Sequence, residues 1–177
     1  MAPYQGLQSI LEAAALLQNR EDIVFLMVGK GPIRAELIEQ AKAKGLGNVL
    51  FRDSPFEERH QLMSITCAAL AVLRALEVTK KMRSAKALPP LACGVPLIYA
   101  GWGETADIVK REKVGITVPP EDPLKLAEAI SELADHPKKR DAMGRRGRAL
   151  AEREFSWSSL VRDWVRQIEC IAQGEDP

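Results

Sequence analysis

The stretch from residue 23 to residue 32 most strongly constrains what this chain can fold into. Six consecutive apolar residues, 23–28, end at Gly29 and Gly31. A short apolar run that stops at glycine is typical of a strand buried on both faces. Pro32 suits the first turn of a following helix, because that position has no helical N–H bond to lose. The stretch therefore predicts a buried strand, a glycine turn and the start of a helix.

The turn made by Gly29, Lys30, Gly31 and Pro32 has two interpretations. Glycine lets another group approach the backbone, and the free N–H groups at a helix start attract an anion. Alternatively, the turn is a tight strand-to-helix connection that binds nothing. Gly-x-Gly-Pro is too short a motif to decide between them, so both interpretations stay open.

Length and composition are those of an ordinary globular chain. The 177 residues, 46% apolar and 28% charged, predict one domain over residues 1–177. A formal net charge of +1 gives no reason to expect nucleic acid or an anionic membrane as a partner. The apolar runs are too short for a transmembrane segment, and the start of the chain lacks a signal-peptide pattern. These features predict a cytoplasmic location.

The cysteines and histidines do not form a recognisable chemical site. Cys67, Cys93 and Cys170 are widely spaced and stand in apolar segments, which predicts buried, reduced thiols and no metal site. His60 and His136 are predicted to be surface residues. Because no Ser-His-Asp or Cys-His arrangement stands out, the sequence predicts no catalytic residue in this chain.

Predicted strands and helices alternate along the chain. The predicted strands cover residues 23–28, 48–51, 67–73, 95–99 and 115–118, and the predicted helices begin near residues 7, 34, 57, 104, 123, 137 and 157. This alternation predicts an α/β fold, a three-layer α/β/α Rossmann-like parallel sheet with helices on both faces. The chain opens on a helix over residues 7–18, so the first strand of such a sheet is missing from the pattern.

A second glycine turn, residues 101–105, follows another predicted strand. Ligands of open parallel sheets bind beyond the carboxyl ends of the strands, so two helix N-termini would face one crevice, which favours a diphosphate. Residues 74–86 are predicted to be a loop at the same edge. The cations of that loop are Arg74, Lys80, Lys81, Arg83 and Lys86. They either neutralise phosphate or are simply solvated.

The last predicted helix, capped by Ser156, carries a broad apolar stripe. Trp157 and Trp164 lie on that stripe. Their seven-residue spacing is typical of core or interface residues rather than of a cofactor site.

Several short motifs follow one another in a consistent order. They are Gly-Leu-Gln at 6–8, Leu-Glu-Ala-Ala at 11–14, the strand and Gly-x-Gly-Pro at 25–32, Gly-Leu-Gly-Asn at 45–48, Ala-Cys-Gly-Val-Pro at 92–96, Gly-Glu at 103–104, Val-Pro-Pro at 118–120, Met-Gly-Arg-Arg-Gly-Arg at 143–148 and Phe-Ser-Trp at 155–157. Together they resemble the C-terminal, donor-binding domain of GT-B fold glycosyltransferases of the retaining family 4, group 1. The resemblance covers nearly the whole chain.

The resemblance implies a site for a UDP- or GDP-sugar that needs no cofactor and no metal. The donor-binding residues it implies, together with the edge cation Arg74, are Gly29, Lys30, Gly31, Pro32, Arg74, Lys86, Gly103, Glu104 and Thr105. The first four would line the nucleotide side, and the last three would offer backbone N–H groups to the sugar or the diphosphate. Such enzymes serve cell-envelope polysaccharide biosynthesis.

Three positions depart from the family pattern. Pro89 stands where the family has a ribose-binding glutamate, Lys81 replaces a second acid, and Gln5 replaces a lysine. Because a residue before proline avoids the α region, the next helix is predicted to start late, near Pro90, with Lys86 displaced into a loop.

The resemblance implies a donor-binding half of a glycosyltransferase, inactive without an acceptor domain, which this chain lacks. The alternative is a non-catalytic interaction module. It would meet an acceptor-domain subunit or a second copy through an open sheet edge or the final helix. A nicotinamide-dependent dehydrogenase is a third interpretation, but the turn lacks the third glycine of the dinucleotide motif.

Overall fold

A computed structural model describes residues 1–53 and 55–173, and within them the strands form two parallel sheets. The strands are β1 (Phe25–Val28), β2 (Val49–Arg52), β3 (Ala69–Val72), β4 (Leu97–Ala100) and β5 (Gly115–Val118). One sheet pairs β1 with β2, and the other has the order β3-β4-β5. The strands lie close to their predicted positions, and β5 matches at both ends.

Helices connect the strands throughout. They are α1 (Gln8–Leu16), α2 (Arg34–Ala43), α3 (Arg59–Ser64), α4 (Glu77–Lys80), α5 (Leu88–Ala92), α6 (Glu104–Arg111), α7 (Pro123–Asp135), α8 (Pro137–Glu154) and α9 (Trp157–Ala172). Short 3-10 turns occur at Pro3–Gln5, Phe56–Glu58 and Ala85–Ala87. Asp122 caps α7 by accepting a hydrogen bond from the Lys125 amide at 2.9 Å, as its place before Pro123 predicts. The α/β fold class is confirmed.

Two hydrophobic clusters show how the helices cover the sheets. One cluster joins β1 and alternate residues of β3–β5 to buried residues of α1, α2 and α7. The other joins the opposite faces of β3 and β4 to α5, α6 and α8. Leu97, Ile98 and Tyr99 of β4 are completely buried because helices cover this central strand on both faces.

The prediction of one continuous sheet is wrong in one respect. β1 and β3 do not pair with each other, so the strands divide into a pair and a triplet. Each of these two strands keeps one edge that no strand among the described residues occupies.

The prediction that residues 74–86 form a loop is also wrong in part. This segment contains α4 and leads into the 3-10 turn that holds Lys86. α5 begins at Leu88, earlier than predicted, with backbone angles φ −69° and ψ −47° at that residue. Pro89 and Pro90 fit because the first turn of a helix does not use its N–H groups, and this outweighs the restriction on the preceding residue.

The cysteines are not buried as predicted. Cys67 and Cys93 are exposed and Cys170 is half-buried, and all are free thiols. Cys67 precedes β3 and Cys93 follows α5, so both lie where the chain turns at the surface despite their apolar neighbours in sequence.

His60 and His136 are exposed as predicted. Trp157 and Trp164 are 83% and 64% exposed, which excludes a core role.

Candidate functional site

Both glycine turns follow the carboxyl ends of parallel strands. β1 leads through Gly29–Pro32 into α2, and β4 leads through residues 101–103 into α6. The first residues of the chain connect these strand ends. The Met1 amino group donates to the Lys30 carbonyl, and the Tyr4 carbonyl accepts from the Arg74 amide at 2.9 Å, just after β3. The two turns therefore lie along one edge of the molecule.

The first turn is packed by the chain itself. A side chain at Gly31 would overlap the backbone of Met1, so the group that approaches this glycine is the first residue. Gly29 has a φ of +115° and open space beside it, and Lys30 and Pro32 are exposed. Arg34, the first residue of α2, pairs with Asp53 at 3.5 Å. This turn offers less open backbone than the sequence predicts.

The second turn presents an uncapped helix N-terminus. Gly103 has φ +76° and is the N-cap of α6, and no side chain of the described residues caps the helix. The first N–H groups of a helix have no helical acceptor, so those of Glu104, Thr105 and Ala106 are available to an anion. The C-terminal end of α4 packs against this turn, because a side chain at Gly103 would overlap the carbonyl oxygen of Lys80.

Two groups that sequence reasoning missed support the second turn. Tyr99 is buried beneath it: the hydroxyl donates to the Trp102 carbonyl at 3.3 Å, and a Cβ on Gly101 would lie 2.8 Å from its ring. Burial raises the pKa of Tyr99. The Ser84 amide donates to the Thr105 hydroxyl at 3.0 Å. A tyrosine two residues before a glycine turn was the available signal, whereas nothing in the sequence identified the Ser84 contact.

The cations of the 74–86 segment divide into paired and unpaired groups. Arg74 pairs with Glu121 at 3.4 Å, Arg83 pairs with Glu104 at 3.6 Å, and Lys80 pairs with Glu77 and lies 5.3 Å from the centre of the Trp102 ring. The two remaining cations, Lys81 and Lys86, are exposed and form no ion pair with any described residue. Among the cations of this segment, Lys81 and Lys86 alone are therefore free of any carboxylate in residues 1–53 and 55–173.

The acids with lowered pKa lie at the opposite edge. Hydrogen bonds from Arg20 lower the pKa of Asp22, which precedes β1, and hydrogen bonds from Arg111 and Arg153 lower that of Glu112, which precedes β5.

In residues 1–53 and 55–173 no group of three or more His, Cys, Asp or Glu is placed to hold a metal. No helix of the described chain has the length and apolar character to cross a bilayer.

Comparison with known sequences identifies relatives over almost the whole chain. The model of the family "Glycosyl transferases group 1" matches residues 1–150. O-antigen chain mannosyltransferase C of Escherichia coli is 27% identical over 177 residues, which are 97% of this chain and 45% of the relative. D-rhamnosyltransferase WbpZ of Pseudomonas aeruginosa is 30% identical over 157 residues, 88% of this chain and 40% of the relative. The chain thus spans less than half the length of these relatives.

Solved structures share the fold. HepE of Anabaena in complex with UDP-glucose has a TM-score of 0.80 at 19% identity, covering 96% of this chain and 46% of that one. The C-terminal domain of the group 1 glycosyl transferase LpcC from Francisella tularensis has a TM-score of 0.75 at 19% identity, covering 89% of this chain and 83% of that one. With the family match over residues 1–150, the chain belongs to the group 1 glycosyltransferases and corresponds to their C-terminal, GT-B fold domain.

Proposed function

We propose that this chain binds the diphosphate of a nucleotide-sugar and forms the donor half of a glycosyltransferase. The observation that carries the proposal is the uncapped N-terminus of α6 at the carboxyl edge of the sheet. Helix N-termini attract anions through free N–H groups and the helix dipole. Lys81 and Lys86, which pair with no carboxylate in the described part of the chain, supply positive charge in the segment packed against this turn.

The names of relatives suggest which donors to test first. One relative, from Corynebacterium glutamicum, is a GDP-mannose-dependent mannosyltransferase, and the Anabaena neighbour was solved with UDP-glucose. Pro89 provides neither a carboxylate nor an N–H group for a ribose, so we expect weak binding. Transfer of the sugar would need a second, acceptor-binding domain.

We propose a cytoplasmic location, which the exposed, unpaired thiols of Cys67 and Cys93 support.

Titration with GDP- and UDP-sugars tests donor binding. We expect heat, or amide shifts at residues 103–106, at millimolar ligand. Lys86→Gln is expected to weaken binding ~5-fold, because one exposed charge contributes about 1 kcal/mol. Lys110→Gln is the matched control, since it removes the same charge at the opposite end of α6 and should leave affinity unchanged. Absence of any response to every donor, or equal losses in both variants, contradicts the proposal.

A second candidate function, an interaction module, is favoured by α9. Beyond Ser159 almost every residue of this helix is exposed, and its apolar stripe faces solvent. The stripe consists of Trp157, Leu160, Val161, Trp164, Val165, Ile168 and Ile171. An apolar surface of this kind marks a contact site in many proteins.

Sedimentation over a range of concentrations tests this second function. We expect self-association at high protein concentration, because pairing of two copies would remove the α9 stripe from water. Trp164→Gln should reduce it, and Arg166→Gln, on the same helix but outside the stripe, should not. A strictly monomeric chain at every concentration would rule out self-association through α9.

A further inference from the structure

Two loops meet across the end of β4. Arg74 follows β3 by two residues and Glu121 follows β5 by three, and these two strands lie on either side of β4. The Glu121 carboxylate accepts a hydrogen bond from the Ala75 amide at 2.9 Å and another from Nε of Arg74 at 3.4 Å. A carboxylate of the chain itself therefore lies at the carboxyl edge of the sheet, beside the strand that leads into α6.

The fold fixes the groups that hold this carboxylate. The Arg74 amide donates to the Tyr4 carbonyl at 2.9 Å. The Arg74 carbonyl accepts from the Leu76 amide at 2.9 Å and from the hydroxyl of Thr79, which is buried, at 2.7 Å. Because the backbone on both sides of Ala75 is held in this way, the direction of its N–H group does not depend on the carboxylate. A fixed N–H group beside a guanidinium is an arrangement that binds carboxylates and phosphates.

The Glu121 carboxylate is held only weakly in this place. The residue has φ +56°, a left-handed conformation that glycine adopts freely and an L-residue adopts only at a cost in free energy. The side chains of Arg74 and Glu121 are 48% and 44% exposed, and their ion pair uses a single N–H group at 3.4 Å. Exposed pairs of this kind contribute little stability. An anion of higher charge can therefore displace the carboxylate.

We propose that Arg74 and the Ala75 amide form a subsite for a phosphate group, and that Glu121 fills this subsite as a competing carboxylate until a phosphate displaces it. Apart from Nε, the N–H groups of Arg74 make no hydrogen bond to any residue that the structure describes. A phosphate can engage a guanidinium through two parallel hydrogen bonds. It would therefore gain contacts that the Glu121 carboxylate does not make.

A ligand with two phosphate groups would reach both this subsite and the α6 N-terminus. β3 and β4 are neighbouring strands, about 4.8 Å apart, and the Leu73 amide donates to the Ala100 carbonyl at 2.9 Å. Arg74 and the turn at residues 101–103 continue directly from these two residues. The inference deepens the proposed donor function and rests on it only for the source of the phosphate. A nucleotide-sugar supplies a diphosphate, and inorganic pyrophosphate supplies the same group alone.

Titration with inorganic pyrophosphate, followed by calorimetry and by the amide shift of Ala75, tests the proposal. Glu121→Gly removes the competing carboxylate and suits the left-handed backbone. We expect it to tighten pyrophosphate binding ~5-fold, the effect of one exposed charge. Glu121→Gln should tighten binding in the same direction, and it gives the deciding measurement if the glycine variant does not fold. The matched control, Glu128→Gln, removes the same charge about 9 Å along α7, where salt screens it, and should leave affinity unchanged.

Arg74→Gln decides whether the gain in affinity arises at the subsite. In the double variant, with Arg74→Gln and Glu121→Gly, the tightening should be lost, because the guanidinium that the carboxylate occupies is gone. Equal affinity in the original chain and both Glu121 variants overturns the proposal. A gain that persists without Arg74, or failure of every variant to bind pyrophosphate, also overturns it.

A parallel titration with GDP- and UDP-sugars separates this proposal from the donor proposal. If Glu121→Gly tightens pyrophosphate binding but no variant responds to a nucleotide-sugar, the subsite stands as one for free phosphate compounds and the donor proposal fails. If nucleotide-sugars bind equally well with and without Glu121 and Arg74, the donor proposal stands and the subsite is overturned.

Discussion

Replacing Gly103 with alanine is expected to lower the free energy of unfolding by about 2–6 kcal/mol. Two costs add. The residue has φ +76° and ψ −162°, a conformation essentially confined to glycine that costs an L-residue ~1–3 kcal/mol. Its Cβ would overlap the Lys80 carbonyl oxygen, so the α4 segment would have to move, and overpacking typically costs about 1–3 kcal/mol. Chemical denaturation measures the loss.

Gly45→Ala is the matched control for Gly103→Ala. Gly45 also has a left-handed φ, +64°, but no heavy atom lies within 4 Å of the position its Cβ would take. It should therefore show only the conformational cost, ~1–2 kcal/mol. The excess loss in Gly103→Ala then reports the contact with Lys80 together with the stricter backbone requirement at Gly103. Equal losses would mean that the α4 segment does not pack on the turn as described.

Gly103→Ala is also expected to weaken donor binding, and more strongly than Lys86→Gln does. Moving the α6 N-terminus changes the direction of several N–H groups at once, whereas removing one lysine changes a single exposed charge. We expect at least a ~10-fold loss, which corresponds to about 1.4 kcal/mol. Titration with the donor, at a temperature where the original chain and Gly103→Ala are both folded, measures this loss of affinity. Gly45→Ala, which lies beyond the C-terminal end of α2, should bind the donor as the original chain does.

Replacing Gly144 with alanine is expected to destabilise the protein by ~2 kcal/mol, which is an overpacking cost at the top of the usual range of about 1–3 kcal/mol less the helix preference of alanine. Gly144 lies in α8 where that helix meets the end of α5, and an added Cβ would overlap the Gly94 carbonyl oxygen. The obstacle is backbone rather than a side chain, so the two helices must separate. This cost outweighs the ~1 kcal/mol by which alanine favours a helix over glycine.

Gly147→Ala provides the comparison within the same helix. A Cβ there would lie 2.9 Å from Leu91 Cδ2, the end of a side chain that can rotate away. The gain in helix propensity is identical, so we expect this variant to remain within ~1 kcal/mol of the original stability. Thermal denaturation of the pair measures the difference. A Gly144→Ala protein as stable as Gly147→Ala would contradict the close packing of α5 on α8.

Much of the fold could be predicted because its signals are local. The predicted bounds of α8 and β5 match the structure, and Asp122-Pro123 correctly marks the start of α7. The predictions for the cysteines, for the start of α5 and for a continuous sheet were wrong. Each of those depends on burial or pairing that neighbouring residues do not determine.

The candidate site could be predicted only in outline. Both glycine turns lie after strands as expected, and Lys86 remains a free cation near the second turn. The sequence did not indicate that Met1 packs on Gly31, that the Lys80 carbonyl lies against Gly103, or that Glu121 neutralises Arg74. These contacts join residues far apart in the chain, and no local pattern encodes them.

The sequence by itself determined the alternation of strands and helices, their caps and the two glycine turns, because these depend on hydrophobic periodicity and backbone preference within a few residues. Only the tertiary structure decided which cations are free, what packs against each glycine, and that β1 and β3 do not pair with each other. Those outcomes depend on which distant backbone and side-chain groups meet, and such meetings are settled by packing across the whole molecule.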